Sequence, residues 1–314
     1  MQTLQQKTLE VNCWTLADNS ILNLKTKIEK AGKPLKDWDV NIYRGVLTGC
    51  DEAFIIDNPT KEAICKADPK SIEIIKPVLR GRDIHKYYYE WAGLWLIIIP
   101  SGWTNKNKPD NIDAEQFIKL CYPAVYNYLK TKGDAIENNI VKVKGKGLYY
   151  RYDQGDYWWE LRKCSYYNEF NKPKIIYPNM TKYLPFVYDK KHFYPNPKCY
   201  ILTGEETLLY TLTSLFNSKL ISYYIKVTFP ELQGGTRELH KNKFEYIPIP
   251  DSLLLNKDIV RLSFELDNKI KSHQSCFENE DWYISMTSMI DTLVYKQYGL
   301  NEADIKLITN RLEK

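Results

Sequence analysis

Histidine is scarce and cysteine is scattered. Four His occur in 314 residues, and the seven Cys, at 13, 50, 65, 121, 164, 199 and 276, never come closer than 15 positions. Structural zinc sites use Cys and His ligands paired a few residues apart, so this spacing argues against one. An odd, dispersed set is expected as buried free thiols in a reducing compartment. Long apolar runs are also missing. The longest, 94–99, is far short of the roughly 20 residues that span a bilayer. The amino terminus, MQTLQQKTLEVNCW, lacks the basic-then-apolar order of a secretory leader. Together these absences lead us to expect a soluble, cytoplasmic protein with no membrane partner. No H-E-x-x-H and no G-x-S-x-G occurs. The nearest approach to a phosphate-binding loop, Lys144-Gly-Lys-Gly147, has neither Rossmann nor P-loop spacing. The residues therefore offer no catalytic group and no cofactor site.

Aromatic residues are abundant: 25 Tyr, 10 Phe and 8 Trp. Tyrosine joins an apolar body to a polar tip and suits interfaces, but Tyr-rich strands are equally ordinary sheet structure. The net charge of +5 is unevenly spread. Residues 251–314 hold eight Lys/Arg against eleven Asp/Glu, whereas residues 1–250 hold 36 against 28. A basic body is compatible with a polyanionic partner.

Periodicity predicts short strands and helices without regular alternation. Asn19 to Lys30 repeats apolar residues at helical spacing, and Gly32 and Pro34 end it. Residues 40–57 read as two short strands, 68–73 as a short helix, 94–100 as a buried strand, and 113–130 as a helix interrupted near Pro123. Residues 157–162 and 174–178 read as strands. Residues 208–226 read as one long helix, packed through Leu212, Leu215, Phe216 and Leu220. The prolines of YIPIP (246–250) suit an edge segment. Beyond Asp251 the pattern is almost wholly helical. The expected fold class is α+β: a mixed, mostly antiparallel curled sheet with flanking helices and a C-terminal helical tail. The expected organisation is a linker or helical segment over 1–37, a body over 38–250, and the tail over 251–314.

One string imitates a metal-dependent nuclease: Pro250-Asp251 followed by Asp267-Asn-Lys269. Such carboxylates hold Mg²⁺ from adjacent strands. Residues 259–270 read instead as a helix, which would spoil that geometry.

Several segments in order resemble one family: IYRGVLTGCDEAFIID (42–57), IIKPVLRGRDIHKY (74–87), GLWLIIIP (93–100), YWWELR (157–162), KPKIIYP (172–178), LTSLFNSKLISYY (212–224), the Gly-Gly-Thr-Arg loop (234–237) with YIPIP, and IDTLVYKQYGLNEADI (290–305). This succession is similar to the TaqI-like C-terminal specificity domain of adenine-N6 DNA methyltransferases and single-chain type II restriction-modification enzymes. It spans roughly residues 38–305. The resemblance implies a target recognition domain that clamps duplex DNA opposite a methyltransferase domain of the same parent chain. S-adenosylmethionine is then the parent's cofactor, with Mg²⁺ added where the parent also cuts DNA. Asn196-Pro-Lys-Cys199 shares only two letters with the Asn-Pro-Pro-Tyr of such methyltransferases and is read as a loop. A free-standing specificity subunit, a protein-interaction scaffold and a Mg²⁺-dependent nuclease are the alternatives.

Loops rich in Lys/Arg, Gln and Gly are the natural DNA readers. Three qualify: 142–151 with Lys144, Lys146 and Arg151, 179–191 with Lys182, Lys190 and Lys191, and 233–243 with Gln233, Gly234, Gly235, Arg237, His240 and Lys241. The third is favoured, since paired glycines allow close backbone approach and arginine can grip guanine with two hydrogen bonds. A salt bridge from Arg237 to Glu231 or Glu238 is the structural alternative. Arg80, Arg82 and Lys86 form a further candidate group. Either arginine could meet DNA or pair with Asp83 to fix the turn. At least one ring of Tyr87–Tyr89 is expected in the core, and Arg162 is expected to pair with a neighbouring acid.

Overall fold

The structure is a computed structural model that describes residues 19–137, 141–143, 146–190, 192–273 and 277–313. Lys144 and Lys191 lie outside the described residues. At its centre is a four-stranded antiparallel sheet in the order Val187–Asp189, Lys174–Pro178, Cys199–Gly204, Val40–Arg44. The register pairs Ile176 with Ile201 and Ile201 with Tyr43. Side chains along a strand alternate between faces, and here both faces are covered. Ile175, Tyr177, Tyr200 and Leu202 enter one apolar cluster. Ile176, Val187, Cys199 and Ile201 enter a second. The sheet is thus a partition between two cores, and every residue of Lys174–Pro178 is buried.

The second cluster lies under a smaller sheet, ordered Tyr194–Pro195, Ile75–Leu79, Trp95–Ile97, Ile55–Ile56. Its Tyr194–Pro195 pairing is parallel and the rest antiparallel. The first cluster is roofed by helices. Glu206–Asn217 and Lys219–Thr228 stand on the central sheet, and Leu212, Leu215, Phe216 and Leu220 are fully buried, as expected. The C-terminal helices Asp251–Leu255, Lys257–Ser272, Asp281–Gln297 and Glu302–Leu312 feed Leu253, Ile259, Leu262, Leu266, Ile270, Ile290, Val294 and Ile308 into the same cluster. Leu24 and Ile28 of Asn19–Lys30 join it too. Pro34 and Pro248 face each other in a two-residue edge ladder, the role expected of YIPIP. The mixed α+β class is the one expected. No helix among the described residues is long and apolar enough to cross a membrane.

Four local expectations need correction or refinement. The long helix over 208–226 is two helices. Ser218 leaves helical geometry, and its Oγ accepts from the Ile221 amide, capping the second helix. Pro123 likewise begins a new helix after Ala114–Cys121, because proline fits the first helical position. Residues 157–162 form no strand. The buried Glu160 carboxylate turns inward and accepts from the amides of Gly102, Thr104 and Asp156 at 2.9–3.0 Å. Those bonds satisfy the start of helix Trp103–Asn107. Residues 40–57 keep the strand Val40–Arg44, then make a helical turn at Asp51–Phe54 before the short strand Ile55–Ile56.

Lys174 and Asp189, paired across neighbouring strands, are both wholly buried and 2.7 Å apart. Burial pushes the lysine's pKa down, and Asp189 opposes that shift. The ammonium also donates to the Phe170 carbonyl at 2.8 Å, and Asp189 accepts from the Phe193 amide at 2.9 Å. The cysteines at 50, 65, 121, 164 and 199 are free.

Candidate nucleic-acid interface

Two of the loops singled out in the sequence meet. Met180–Thr181 and Arg237–Glu238 form a short antiparallel ladder, with Thr181 opposite Arg237. Asn179 extends the junction both ways: its amide donates to the Lys198 carbonyl at 2.8 Å, and its carbonyl accepts from the Leu239 amide at 2.7 Å. Leu239 is fully buried and anchors the second loop. Gly81 lies against Pro178 and the Lys198 carbonyl, so close that an added Cβ would stand 3.2 Å from Pro178 Cβ. The Arg-Gly-Arg turn, the end of the central strand, and the loops after Asn179 and Gln233 are therefore one connected surface.

Four exposed cations sit on it: Arg82, Lys182, Lys198 and Lys241. Among the described residues none of them forms an ion pair with a carboxylate. Arg44 adds a fifth at the margin, its Nε donating to the Pro197 carbonyl at 3.0 Å. Gln233, Gly234 and His240 are exposed beside them. Gly234 and Gly235 have φ of 72° and 80°, a region that other residues resist. The nearest side-chain atom to a Cβ at Gly235 would be Lys182 Cε, 3.8 Å away. Acidic groups are present at Glu231 and Glu238, the first of them spent on Arg237.

Arg237 itself is only 7% exposed. Its Nη2 meets Glu231 at 2.7 Å and the Lys226 carbonyl at 3.2 Å. Its Nη1 reaches the carbonyls of Gly235 and Thr236 at 3.3 and 3.4 Å. In this structure the guanidinium holds the Gly-Gly loop to the last turn of helix Lys219–Thr228 and does not project from it. The salt-bridge alternative describes its position.

The other candidates divide in the same way. Arg80 pairs with Asp83 through two nitrogens, at 2.7 and 3.0 Å, and Asp83 also accepts from the Arg80 amide. That arginine fixes the turn, while Arg82 is left pointing to solvent. Lys86 is half-buried and donates to the Asn217 carbonyl at 2.9 Å, closing the end of helix Glu206–Asn217. Burial pushes its pKa down. Arg151 is buried over the Phe54 ring and bonded to the carbonyls of Asp153 and Glu160. Burial lowers its pKa to about 10. It belongs to the packing of the second cluster, not to the connected surface. Lys146 is exposed, on the segment that leads to Leu148–Tyr150. Arg162 pairs with Asp153 at 3.2 Å, and Tyr87 is the buried ring of its trio.

Sequence reasoning missed Arg44 and Lys198, and it took the 179–191 loop for its lysines without naming Met180 or Tyr183. No local signal marks Arg44 and Lys198: the fold sets the Lys198 carbonyl against the Asn179 amide, and Arg44 reaches the neighbouring Pro197 carbonyl. The nuclease-like pair is not on adjacent strands. Asp251 opens one helix and pairs with Lys33 at 3.3 Å, while Asp267 is buried in the next helix and pairs with Lys271. Asn196 spends its side-chain oxygen on its own turn, accepting from the Lys198 amide and the Cys199 thiol.

The model of the TaqI-like C-terminal specificity domain matches residues 76–249, more than half of the chain, and the chain belongs to that family. The match contains the whole connected surface except Arg44. Among curated proteins, the type II methyltransferase M.MjaIV of Methanocaldococcus jannaschii is 22% identical over 277 residues, covering 85% of this chain and 82% of the relative. Among solved structures, the type IIL restriction-modification enzyme MmeI, in complex with DNA, is similar with a TM-score of 0.52 at 10% identity. That match covers 88% of this chain and 36% of MmeI, and it shows the fold. The type IIG restriction endonuclease BpuSI matches at 0.47 and 13% identity, over 90% of this chain and 34% of its own. The chain thus spans about a third of the length of these two enzymes.

Proposed function

We propose that this chain recognises duplex DNA and gives sequence specificity to a restriction-modification enzyme that methylates adenine N6. One observation carries the reading. Within the family match, Arg82, Lys182, Lys198 and Lys241 stand exposed, without carboxylate partners among the described residues, on segments joined into one surface. Cations on adjacent loops gain most from a polyanion, whose phosphates replace the water and counterions around them. Gln233, His240 and the Gly-Gly backbone supply the groups that read base edges. The partner domain is the methyltransferase domain of the same parent, and S-adenosylmethionine belongs there. Residues 38–250 carry the recognition surface, and the helices of 251–314 complete one of its cores. The dispersed free thiols favour work in the reducing cytoplasm.

Fluorescence anisotropy with a labelled mixed-sequence duplex tests the reading. Binding should weaken steeply with salt, with a log–log slope near −0.9 per phosphate neutralised. Absence of binding at low salt, or a flat salt response, would overturn it. The chain alone, given labelled S-adenosylmethionine and duplex, should transfer no methyl group.

A further inference from the structure

Tyr183 is 78% exposed, yet its place is tightly determined. The Thr181 hydroxyl is buried and accepts from two successive amides, Tyr183 N at 3.1 Å and Leu184 N at 3.2 Å. Leu184, although it precedes Pro185, has φ of 51°, in the left-handed region that bulky residues resist. What holds it there is its side chain, only 1% exposed and packed in the first cluster with Tyr177 and Phe186. Thr181 is in turn fixed opposite Arg237 by the two-residue ladder. A strained residue persists only when its surroundings over-determine it. Here those surroundings set a large aromatic ring outward, where it gains no burial.

The ring's neighbours say what it faces. Lys182 precedes it, Met180 is 55% exposed on the same turn, and Gly235 lies against Lys182. A ring and a thioether among cations that have no carboxylate partner among the described residues suit a ligand with an anionic backbone and flat apolar faces. A protein surface offers the second without the first, and a solvated loop needs neither.

Resting on the reading of this surface as DNA-binding, we infer that Tyr183 is a wedge: its ring packs against the bases of the bound duplex at an opened step. Phosphate contacts from Lys182 and Lys241 hold the backbone, and the pre-set turn delivers the ring without an ordering cost at the moment of binding. Stacking needs only the π-face, so the hydroxyl is dispensable.

The test compares this chain with Tyr183→Ala and Tyr183→Phe on mixed-sequence duplexes, one fully paired and one with a central abasic site. An abasic site removes part of the unstacking cost, so a wedge binds it more tightly. The expected result is a several-fold preference of the native chain for the abasic duplex. That preference should be kept by the Phe variant and lost by the Ala variant. The Ala variant should also bind the paired duplex on the order of tenfold more weakly. Its salt slope should be unchanged, because no charge is removed. Equal affinities of native and Ala chains for both duplexes, with normal salt-dependent binding, would overturn the wedge and leave the DNA reading standing. No salt-dependent binding by the native chain would overturn both. A reduced salt slope in the Ala variant would show collapse of the turn and also count against the wedge. Thermal melting checks the fold, and an exposed ring should not move it.

Discussion

Nη2 of Arg237 stands 2.7 Å from Oε2 of Glu231, and the loop between them carries both glycines of left-handed geometry. An arginine placed after Gly-Gly reads in sequence as a side chain on display. In the fold it is the clasp of that loop, and the display falls to the residues around it.

Arg237→Ala should therefore act first on stability. Removing the buried guanidinium takes a donor from the Gly235 and Lys226 carbonyls, while the Thr236 carbonyl keeps the Leu232 amide, a loss of about 1–3 kcal/mol. Urea unfolding should show it. DNA affinity should fall at every ionic strength alike, with the salt slope retained. A slope lowered by about one, without loss of stability, would instead make Arg237 a phosphate ligand.

Arg82, Lys182, Lys198 and Lys241 should behave in the opposite way. Each Ala variant should melt like the native chain, since none has a carboxylate partner among the described residues to lose. Each phosphate contact removed should reduce the salt slope by about one. Lys146→Ala, on a segment outside the connected surface, is the control, and its slope should not change.

Lys174 and Asp189 should show the cost of breaking a buried pair. Asp189→Asn leaves the ammonium in the core with carbonyls alone, and the expected loss is about 3–5 kcal/mol by urea unfolding. Replacing both partners with apolar residues of similar size should be far milder, because no buried charge is then left unpaired.

A chain ending at Pro250 should fail to give a soluble body. Ile259, Leu266, Ile290 and Val294 are all fully buried and share a cluster with Leu212, Leu215 and Phe216. Their loss would open that core to water. Sedimentation and dye binding to exposed apolar surface would detect it. A monomeric, cooperatively melting product would show that the helices are dispensable.

Much of the architecture was legible because it follows local chemistry. The helix over Asn19–Lys30, the break at Pro123 and the strand Lys174–Pro178 all follow from periodicity and proline. Ser218 and Glu160 were misread for one reason. Each looks neutral in a periodic run: Ser218 caps an amide only three residues on, inside an unbroken apolar pattern, and Glu160 caps amides some 56 residues away that only the folded chain brings within reach. The candidate surface was legible by segment, not by side chain. Lys182 and the Gly-Gly loop were found, but Arg237 and Arg151 could not be told from exposed cations. Their carbonyl partners lie on segments whose approach is a tertiary fact. Lys198 and Arg44 were invisible because only the folded sheet brings Lys198 to Asn179 and Arg44 to the Pro197 carbonyl.

The central sheet spends both its faces on packing. Any change inside a strand therefore disturbs one core or the other, while the turns at Asn179 to Leu184 and Gln233 to His240 meet the cores only through anchors such as Leu184 and Leu239. Selection for a new target can act on those tips almost freely so long as the anchors stay. The partition thus separates what must be inherited from what can be rewritten, and recognition can diversify on it without refolding the chain.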